Sequence, residues 1–197
     1  LDTVSSEYYT DIPAMSAANN SAFIEDQRGG VKLLTPVYVN ASAAECTSDC
    51  GTARAPYNTI QAGIDRVIPG GTVNVLAGTY TETFEINKSV SLIGAGRDVT
   101  IITAADPLDG PIDVSAAGVT ISGFKVTNTS SAGTTADGIY VMGGADNCTI
   151  TDNEISGNGQ NGISIVSSNN TVTNNIIAGN STKSSLGAGV ALFDHLG

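Results

Sequence analysis

Short segments of alternating apolar and polar residues recur along the second half of the chain. One set of segments opens at four positions spaced 27, 24 and 27 residues apart, namely Ile112, Ile139, Ile163 and Val190. A second set alternates with the first, and its apolar residues repeat in two columns: Ile121, Ile150 and Val172, then Val126, Ile155 and Ile177. A period in the twenties made of short strands is typical of a solenoid, in which each repeat forms one coil.

The composition agrees with stacked short strands. Gly accounts for 23 of the 197 residues and charged residues for only 14%, which favours tight polar turns over long amphipathic helices. The net charge of −11 argues against a nucleic-acid partner, because phosphate binding needs clustered Lys and Arg, and the chain has eight in total. No apolar run approaches the ~18 residues of a membrane span.

The chain divides into a leader and a repeat region. Residues 1–35 show no sustained periodicity, and we interpret them as an extended polar leader or as an arm that packs on a neighbour. Residues 36–197 hold the strands and repeats. Because the chain begins at Leu1 and not at Met, we expect that an upstream segment such as a signal peptide was removed, or that the sequence was trimmed.

A short capping helix is predicted near residues 58–68, before the first coil. Asn58 or Thr59 supplies the N-cap. The helix has one apolar face, formed by Ile60, Ile64 and Val67. A helix at this place would cover the open core above the first coil, as solenoids require for solubility.

Four segments carry a family resemblance: residues 57–65 (YNTIQAGID), 71–75 (GTVNV), 77–80 (AGTY) and 91–96 (SLIGAG). Together they resemble the start of pectin-lyase-like proteins. The later coils resemble the parallel β-helix repeats of that superfamily, including repeat proteins of archaeal envelopes. The resemblance covers about residues 36–192 and implies an all-β fold, a right-handed parallel β-helix (solenoid). It implies no single function, because this fold hosts lyases, hydrolases, esterases, tail-spikes and binding proteins.

The catalytic motifs that this resemblance implies are not found in the sequence. The polygalacturonase-like and methylesterase-like patterns have no match, and a lyase-like site needs calcium-binding acids beside a base. The acids considered for such a site are Asp113, Asp137 and Asp152. With Lys125 as the base, their spacing gives no shared outer face.

His195 follows an Asp but has no accompanying Ser or Cys motif. We therefore predict no enzyme activity, no cofactor and no metal site.

The three cysteines divide into a pair and a single residue. Cys46 and Cys50 have a spacing that permits a small-loop disulfide in an oxidising compartment. Free thiols are one alternative, and a zinc half-site is another, although no second Cys pair or nearby His completes it. Cys148 aligns with Val119 in the repeat, so we expect it to be a small core residue.

Asparagine recurs at one turn position of the repeat. Asn153 and Asn175 occupy equivalent places, and Phe124 holds that place one coil earlier. Side-chain amides at stacked positions can hydrogen-bond from coil to coil. The sequence therefore predicts a short asparagine ladder with a structural role.

Seven Asn-x-Ser/Thr sequons are candidate sites of N-glycosylation. They lie at Asn19, Asn40, Asn87, Asn128, Asn147, Asn169 and Asn180. Their number fits an exported glycoprotein.

The predicted last strand contains Val190 and Leu192, and no cap is evident after it. An uncapped solenoid exposes backbone groups and apolar core to another chain. We therefore predict that these residues form an assembly edge through which the chain binds itself, head to tail or edge to edge.

These observations favour a non-catalytic exported subunit of a cell envelope, such as a surface layer, a sheath or an extracellular fibre. The expected location is extracellular or at the cell surface, the expected partners are other copies of the chain, and glycans are a further candidate. The alternative is a carbohydrate-binding or carbohydrate-cleaving β-helix module of a longer polysaccharide-active protein. A row of exposed aromatics would favour the alternative, and the tyrosines show none in the repeat register.

Overall fold

The computed structural model describes residues 23–25, 31–33, 36–47, 50–106, 108–128, 136–180 and 187–193. The helix of this part, α1, spans Ile60–Arg66. The strands before and just after it are β1 (Phe23–Glu25), β2 (Val31–Leu33), β3 (Val37–Val39), β4 (Thr72–Val75), β5 (Gly78–Thr81), β6 (Phe84–Ile86), β7 (Ser91–Gly94), β8 (Thr100–Thr103) and β9 (Ile112–Val114). The strands that follow are β10 (Thr120–Ser122), β11 (Lys125–Thr127), β12 (Ile139–Val141), β13 (Thr149–Thr151), β14 (Glu154–Ser156), β15 (Ile163–Ile165), β16 (Thr171–Thr173), β17 (Ile176–Ala178) and β18 (Val190–Leu192).

Strands β4 to β18 form a parallel β-helix in which each coil adds one strand to each of three sheets. Sheet 1 has the spatial order β3-β4-β7-β10-β13-β16, sheet 2 the order β5-β8-β11-β14-β17, and sheet 3 the order β6-β9-β12-β15-β18. All pairings within these sheets are parallel. The predicted all-β solenoid fold is therefore confirmed.

The strand register follows the repeat that the sequence shows. Three columns of the repeat are each in register across coils: Ile121, Ile150 and Val172 in sheet 1, Val126, Ile155 and Ile177 in sheet 2, and Ile112, Ile139, Ile163 and Val190 in sheet 3. These side chains point inward, and all of them except Val190 belong to or pack against one continuous core along the axis. Cys148, which is only 2% exposed, belongs to this core as predicted.

Two strands of sheet 2, β5 and β8, were not predicted from the sequence. Gly78 begins β5 and pairs with Thr100 of β8. Tyr80 is the inward residue of β5, is 2% exposed, and donates its hydroxyl to the Leu76 carbonyl at 2.8 Å. The inward residue of β5 is a tyrosine between two threonines, so the sequence shows no clear apolar alternation there.

The predicted leader contains a short hairpin. β1 pairs antiparallel with β2, with Phe23 opposite Leu33 and Glu25 opposite Val31. This pairing differs from a wholly extended arm. Residues 1–22 lie outside the described residues.

Helix α1 lies within the predicted interval and packs on β3, β4 and β6. Thr59 is its N-cap and accepts a hydrogen bond from the Ala62 N–H at 3.3 Å. A Cβ atom on Gly63 would lie 2.7 Å from Val39 Cγ2, so the helix sits almost directly on the first strand of sheet 1. The helix therefore covers the core at this end of the described solenoid.

A carboxylate that is distant in sequence accepts hydrogen bonds from the N-terminus of α1. Glu82, which follows β5, accepts from the Ile60 N–H at 2.9 Å and from the Gln61 N–H at 3.3 Å. Burial raises the pKa of Glu82, and these two hydrogen bonds partly oppose the effect. The carboxylate ties the capping helix to the first complete coil.

Asn153 and Asn175 form the predicted ladder. The Asn153 side chain donates to the Ile121 carbonyl at 3.0 Å and to Asn175 Oδ1 at 3.2 Å, and it accepts from the Phe124 N–H at 3.0 Å. Asn175 in turn donates to the Ile150 carbonyl at 2.8 Å. One fully buried amide therefore connects backbone groups of successive coils.

A second ladder, formed by Asn158 and Asn180, lies at the corner between sheets 2 and 3. Asn158 Nδ2 donates to Asn180 Oδ1 at 2.8 Å, and Asn180 Nδ2 donates to the Ile155 carbonyl at 2.9 Å. The sequence signal was present, because each of these asparagines follows an inward Ile by three residues, as Asn153 and Asn175 follow their inward residues. Asn180 also begins an Asn-Ser-Thr sequon, so its residue pattern fits both a ladder and a glycosylation site.

Replacing the buried ladder amide should destabilise the fold. We expect Asn153→Ala to lower the free energy of unfolding by about 3 kcal/mol, because the Phe124 N–H and the Ile121 carbonyl lose a buried partner. Urea denaturation followed by circular dichroism measures the change. Thr173→Ala, an exposed position on the next coil, is the control and should cost less than about 0.5 kcal/mol. Equal effects of the two substitutions would contradict the role of the ladder.

Candidate functional site

The outer face of sheet 3 carries a column of polar residues in strand register. Glu85, Asp113 and Tyr140 follow one another across β6, β9 and β12. Their neighbours in each strand, such as Phe84 and Ile86, point into the core. The alternation of strand residues therefore projects two carboxylates and a phenol from one face.

Two further acids lie beside this column. Asp109 precedes β9 and Asp137 precedes β12, and both act electrostatically on Asp113. The two loops are in close contact, because a Cβ atom on Gly110 would lie 2.6 Å from the Asp137 carbonyl oxygen. We call Glu85, Asp109, Asp113 and Asp137 the acidic face.

Hydrogen bonds hold three of these carboxylates in place. Glu85 accepts from the Ser115 hydroxyl, Asp137 accepts from the Asn161 N–H at 2.9 Å, and Asp109 accepts from the Gly110 N–H at 2.9 Å. Within the described ranges, no group of three or more His, Cys, Asp or Glu side chains is arranged to hold a metal ion. The oxygens of the acidic face are suited to accepting hydrogen bonds from hydroxyl or amine groups.

The pKa of Asp113, the central residue of the acidic face, is raised above its ordinary value. Desolvation by burial raises the pKa of Asp113 from 3.8 to about 6, with repulsion from Asp109, Glu85 and Asp137 adding to it. Below about pH 6 Asp113 holds a proton and becomes a hydrogen-bond donor.

The structure brings together only part of the acid–base set considered from the sequence. Asp113 and Asp137 share the acidic face, and Glu85 and Asp109 join them. Lys125 lies on sheet 2 and forms an ion pair with Glu154 at 2.7 Å. Asp152 lies in the turn after β13, with φ of 58°. His195 lies outside the described residues.

The predicted disulfide is present and borders a shallow cleft. Cys46 and Cys50 are bonded, with their Cα atoms 5.5 Å apart. The cleft measures about 520 Å³, and its lining includes Asn40, Glu45, Arg54 and Leu76. It is an open depression at the α1 end and lies away from the acidic face.

The last described coil leaves its inward residues exposed. Val190 and Leu192 continue the core columns of Ile163 and Ile165, yet they are 38% and 76% exposed, against 0% and 4% for those two residues. Val172 and Ile177 of the same coil are only partly buried. These four side chains, Val172, Ile177, Val190 and Leu192, form an apolar surface that we call the end face.

The seven sequons fall into distinct environments. Asn87, Asn147 and Asn169 are exposed, and Asn40 is half-buried in a turn. Asn128 is 3% exposed and donates Nδ2 to the Asp109 carbonyl, while Asn180 belongs to the second ladder. Both side-chain nitrogens donate hydrogen bonds in the folded chain, and glycosylation at these two positions stays a prediction. Asn19 lies outside the described residues.

Residues 85–196, more than half of the chain, match the family model of the right-handed β-helix region. The chain belongs to this β-helix family. Its match begins within β6, so helix α1 and the disulfide loop precede the part that the family model covers. No helix among the described residues has the length and apolar character needed to cross a membrane.

One curated relative is similar to a large part of the chain. The uncharacterized protein YwoF of Bacillus subtilis (strain 168) is 27% identical over 153 residues, which cover 69% of this chain and 32% of that protein. The chain thus spans about a third of the relative's length. No solved structure matches the chain significantly.

The raised pKa of Asp113 predicts a pH-dependent stability. Between about pH 4 and 6 the folded chain retains a proton that the unfolded chain has released, so the free energy of unfolding falls as pH rises through this window. The rise in pKa corresponds to at most about 3 kcal/mol, and solvent screening of this half-exposed group reduces the expected cost at pH 7 to about 1 kcal/mol.

Asp113→Asn should therefore stabilise the chain by about 1 kcal/mol at pH 7 and have little effect at pH 3.5. Thermal or urea denaturation at the two pH values measures the difference. Asp98→Asn, an exposed substitution away from the acidic face, is the matched control. A stabilisation by Asp113→Asn that is the same at both pH values would show that its charge is not the cause.

Proposed function

We propose that this chain is an exported, non-catalytic structural subunit of a cell envelope that associates with other copies through the end face. The observation that carries the proposal is the exposure of Val190 and Leu192 in columns that are elsewhere buried. Exposed core residues beside an open strand edge form a template for a further strand. Continuing the sheets across the contact would bury these side chains and pair β18.

Export is supported by the disulfide. Cys46 and Cys50 form a disulfide bond. Disulfides persist in oxidising compartments and are rare in the cytosol. A fold with few charges, buried amide ladders and parallel sheets also suits a subunit whose role is mechanical, because its contacts are continuous along the axis.

The geometry favours contact between two end faces over head-to-tail stacking. Helix α1 covers the opposite end of the described solenoid, with Ile60 and Ile64 fully buried there. A contact between two identical surfaces is isologous and closes as a pair. An extended layer or fibre would then need a second contact on the side of the solenoid, so the pair is the assembly unit.

The end face is tested by charge substitution. Val190→Asp and Leu192→Asp should each weaken self-association by at least about tenfold, because the contact would bury an unpaired carboxylate. Light scattering after size-exclusion chromatography measures the mass, and circular dichroism verifies the fold. Ile176→Asp is the matched control, since this residue is 48% exposed on the outer side of the same coil.

The proposal predicts pairs for the unsubstituted chain and for Ile176→Asp, and monomers for the other two variants. A monomeric unsubstituted chain, or pairs that survive Leu192→Asp, would refute the end-face contact. Electron microscopy of native cell surfaces then tests the envelope role, which requires regular arrays with the dimensions of this pair.

A carbohydrate-binding module is the second candidate, and the acidic face favours it. Glu85 and Asp113 lie in register with Tyr140, so acceptors for sugar hydroxyls stand beside an aromatic ring. Four carboxylates repel polyuronates at neutral pH, and the face therefore fits neutral or amine-bearing polysaccharides.

Calorimetric titration with chitosan and with polygalacturonate distinguishes these classes. If the affinity for chitosan falls by at least about tenfold in Tyr140→Ala, the result would support a carbohydrate-binding module. Thr173→Ala on sheet 1 is the control and should bind like the unsubstituted chain. Equal binding by both variants, or preference for polygalacturonate, would count against the acidic face as a sugar site.

A further inference from the structure

The three exposed sequons lie at one corner of the β-helix. Asn87 follows β6, Asn147 precedes β13 and Asn169 precedes β16, so each lies in a connection from sheet 3 to sheet 1. Asn128 and Asn180 instead follow β11 and β17, in connections from sheet 2 to sheet 3. The coil topology thus separates sequons that look alike in the sequence.

The backbone stacks this corner coil upon coil. The Gly118 N–H donates to the Asp146 carbonyl at 2.8 Å, and the Asn147 N–H donates to the Ser168 carbonyl at 3.1 Å. Gly118, Asn147 and Asn169 have φ of 69°, 58° and 59°. Asn147 and Asn169 therefore occupy the same place on neighbouring coils, about 5 Å apart.

The left-handed backbone explains part of the choice of asparagine. Asn tolerates this conformation better than most residues, and Asn174 adopts it too, with φ of 57°. Asn174, however, lies between sheets 1 and 2 and has Ile176 two positions later. Among the described non-glycine residues with this conformation, those at the sheet 3–sheet 1 corner are the ones followed by Thr at the second position.

The side chains at this corner are chemically available. In the described part of the chain, no hydrogen bond engages the amides of Asn87, Asn147 or Asn169, and all three residues are exposed. Thr149 and Thr171, the hydroxyl residues of two sequons, point outward from sheet 1. An acceptor nitrogen and its hydroxyl therefore face solvent together.

We propose that the sheet 3–sheet 1 corner is an N-glycosylated ridge, modified at Asn87, Asn147 and Asn169 and not at Asn128 or Asn180. In the transfer, the Asn Nδ2 loses a proton and forms a bond to the anomeric carbon of a lipid-pyrophosphate-linked oligosaccharide. The bond from that carbon to the pyrophosphate oxygen breaks, and lipid pyrophosphate leaves. No oxidant or reductant is needed.

The ridge runs parallel to the solenoid axis. Glycans there would cover one corner and leave open sheet 2, which does not border this corner. The ridge does not depend on the proposed assembly, and either proposal stands if the other fails.

Glycopeptide mass spectrometry of the chain purified from its native cells tests the ridge. Cleavage before aspartate separates most of the sites, giving peptides 65–97 with Asn87, 113–136 with Asn128, 146–151 with Asn147, and 152–193 with Asn169 and Asn180. Electron-transfer fragmentation assigns the glycan within the last peptide. We expect glycans on the ridge asparagines and unmodified Asn128 and Asn180.

Substitution of the sequon hydroxyls provides a second readout. Thr149→Ala and Thr171→Ala should each remove one glycan mass, while Thr149→Ser and Thr171→Ser keep it. Thr120→Ala, on the same face but outside any sequon, is the control. Unmodified asparagines along the ridge in the native chain, or a glycan on Asn128 or Asn180 in folded protein, would overturn the proposal.

Discussion

Hydrogen bonding between successive coils must agree with the burial of inward residues, and the rest of the structure depends on this agreement. Parallel pairing aligns Val73, Leu92 and Ile121 in sheet 1, and each lies beneath its counterpart in the core. A slip of one residue would keep the backbone bonds but turn the apolar side chains outward. The asparagine ladders restrict such slips at the corners, because a buried amide such as Asn153 finds its backbone partners only in one register. Packing and hydrogen bonding thus select the same alignment.

The outward residues do not have to fit into the core, and their chemistry differs among the three sheets. Sheet 1 presents a hydroxyl column that includes Thr120, Thr149 and Thr171. Sheet 2 carries an exposed ion pair, whose contribution to stability is about 0–1 kcal/mol. Sheet 3 carries the acidic face, where desolvation by burial, with added repulsion from neighbouring carboxylates, raises the pKa of Asp113 to about 6. One backbone scheme therefore offers surfaces of different chemistry, so function in such a fold has to be argued from each face separately.

Much of the fold was predictable because its defining pattern is local and repeated. The columns through Ile121 and Ile139, the helix cap at Thr59 and the inward Cys148 all follow from alternation and alignment. Strand β5 escaped prediction because its inward residue is a single tyrosine. The acidic face was not predicted, because the spacing of Asp113 and Asp137 indicated no shared outer face, and Glu85 and Asp113 become neighbours only through a coil of 28 residues. Asn128 and Asn180 carry sequons like the others, and only the structure shows that their side chains donate hydrogen bonds to backbone carbonyls.

In sheets 1 and 2 the last two coils are related by a constant shift. Residues bonded between them are 22 apart in several independent contacts: Asn153 with Asn175, Asn158 with Asn180, Asp146 with Ser168, and Thr151 with Thr173. In sheet 3 the shift between the same two coils is 27 residues, because Ile163 pairs with Val190 and the connection before β18 is five residues longer. A connection can therefore gain residues while the strands that flank it keep their register, and an insertion of one coil length would add one strand to each sheet. Genes for proteins of this kind can lengthen or shorten in whole coils, so overall length is a trait that selection can change in discrete steps without redesigning the core.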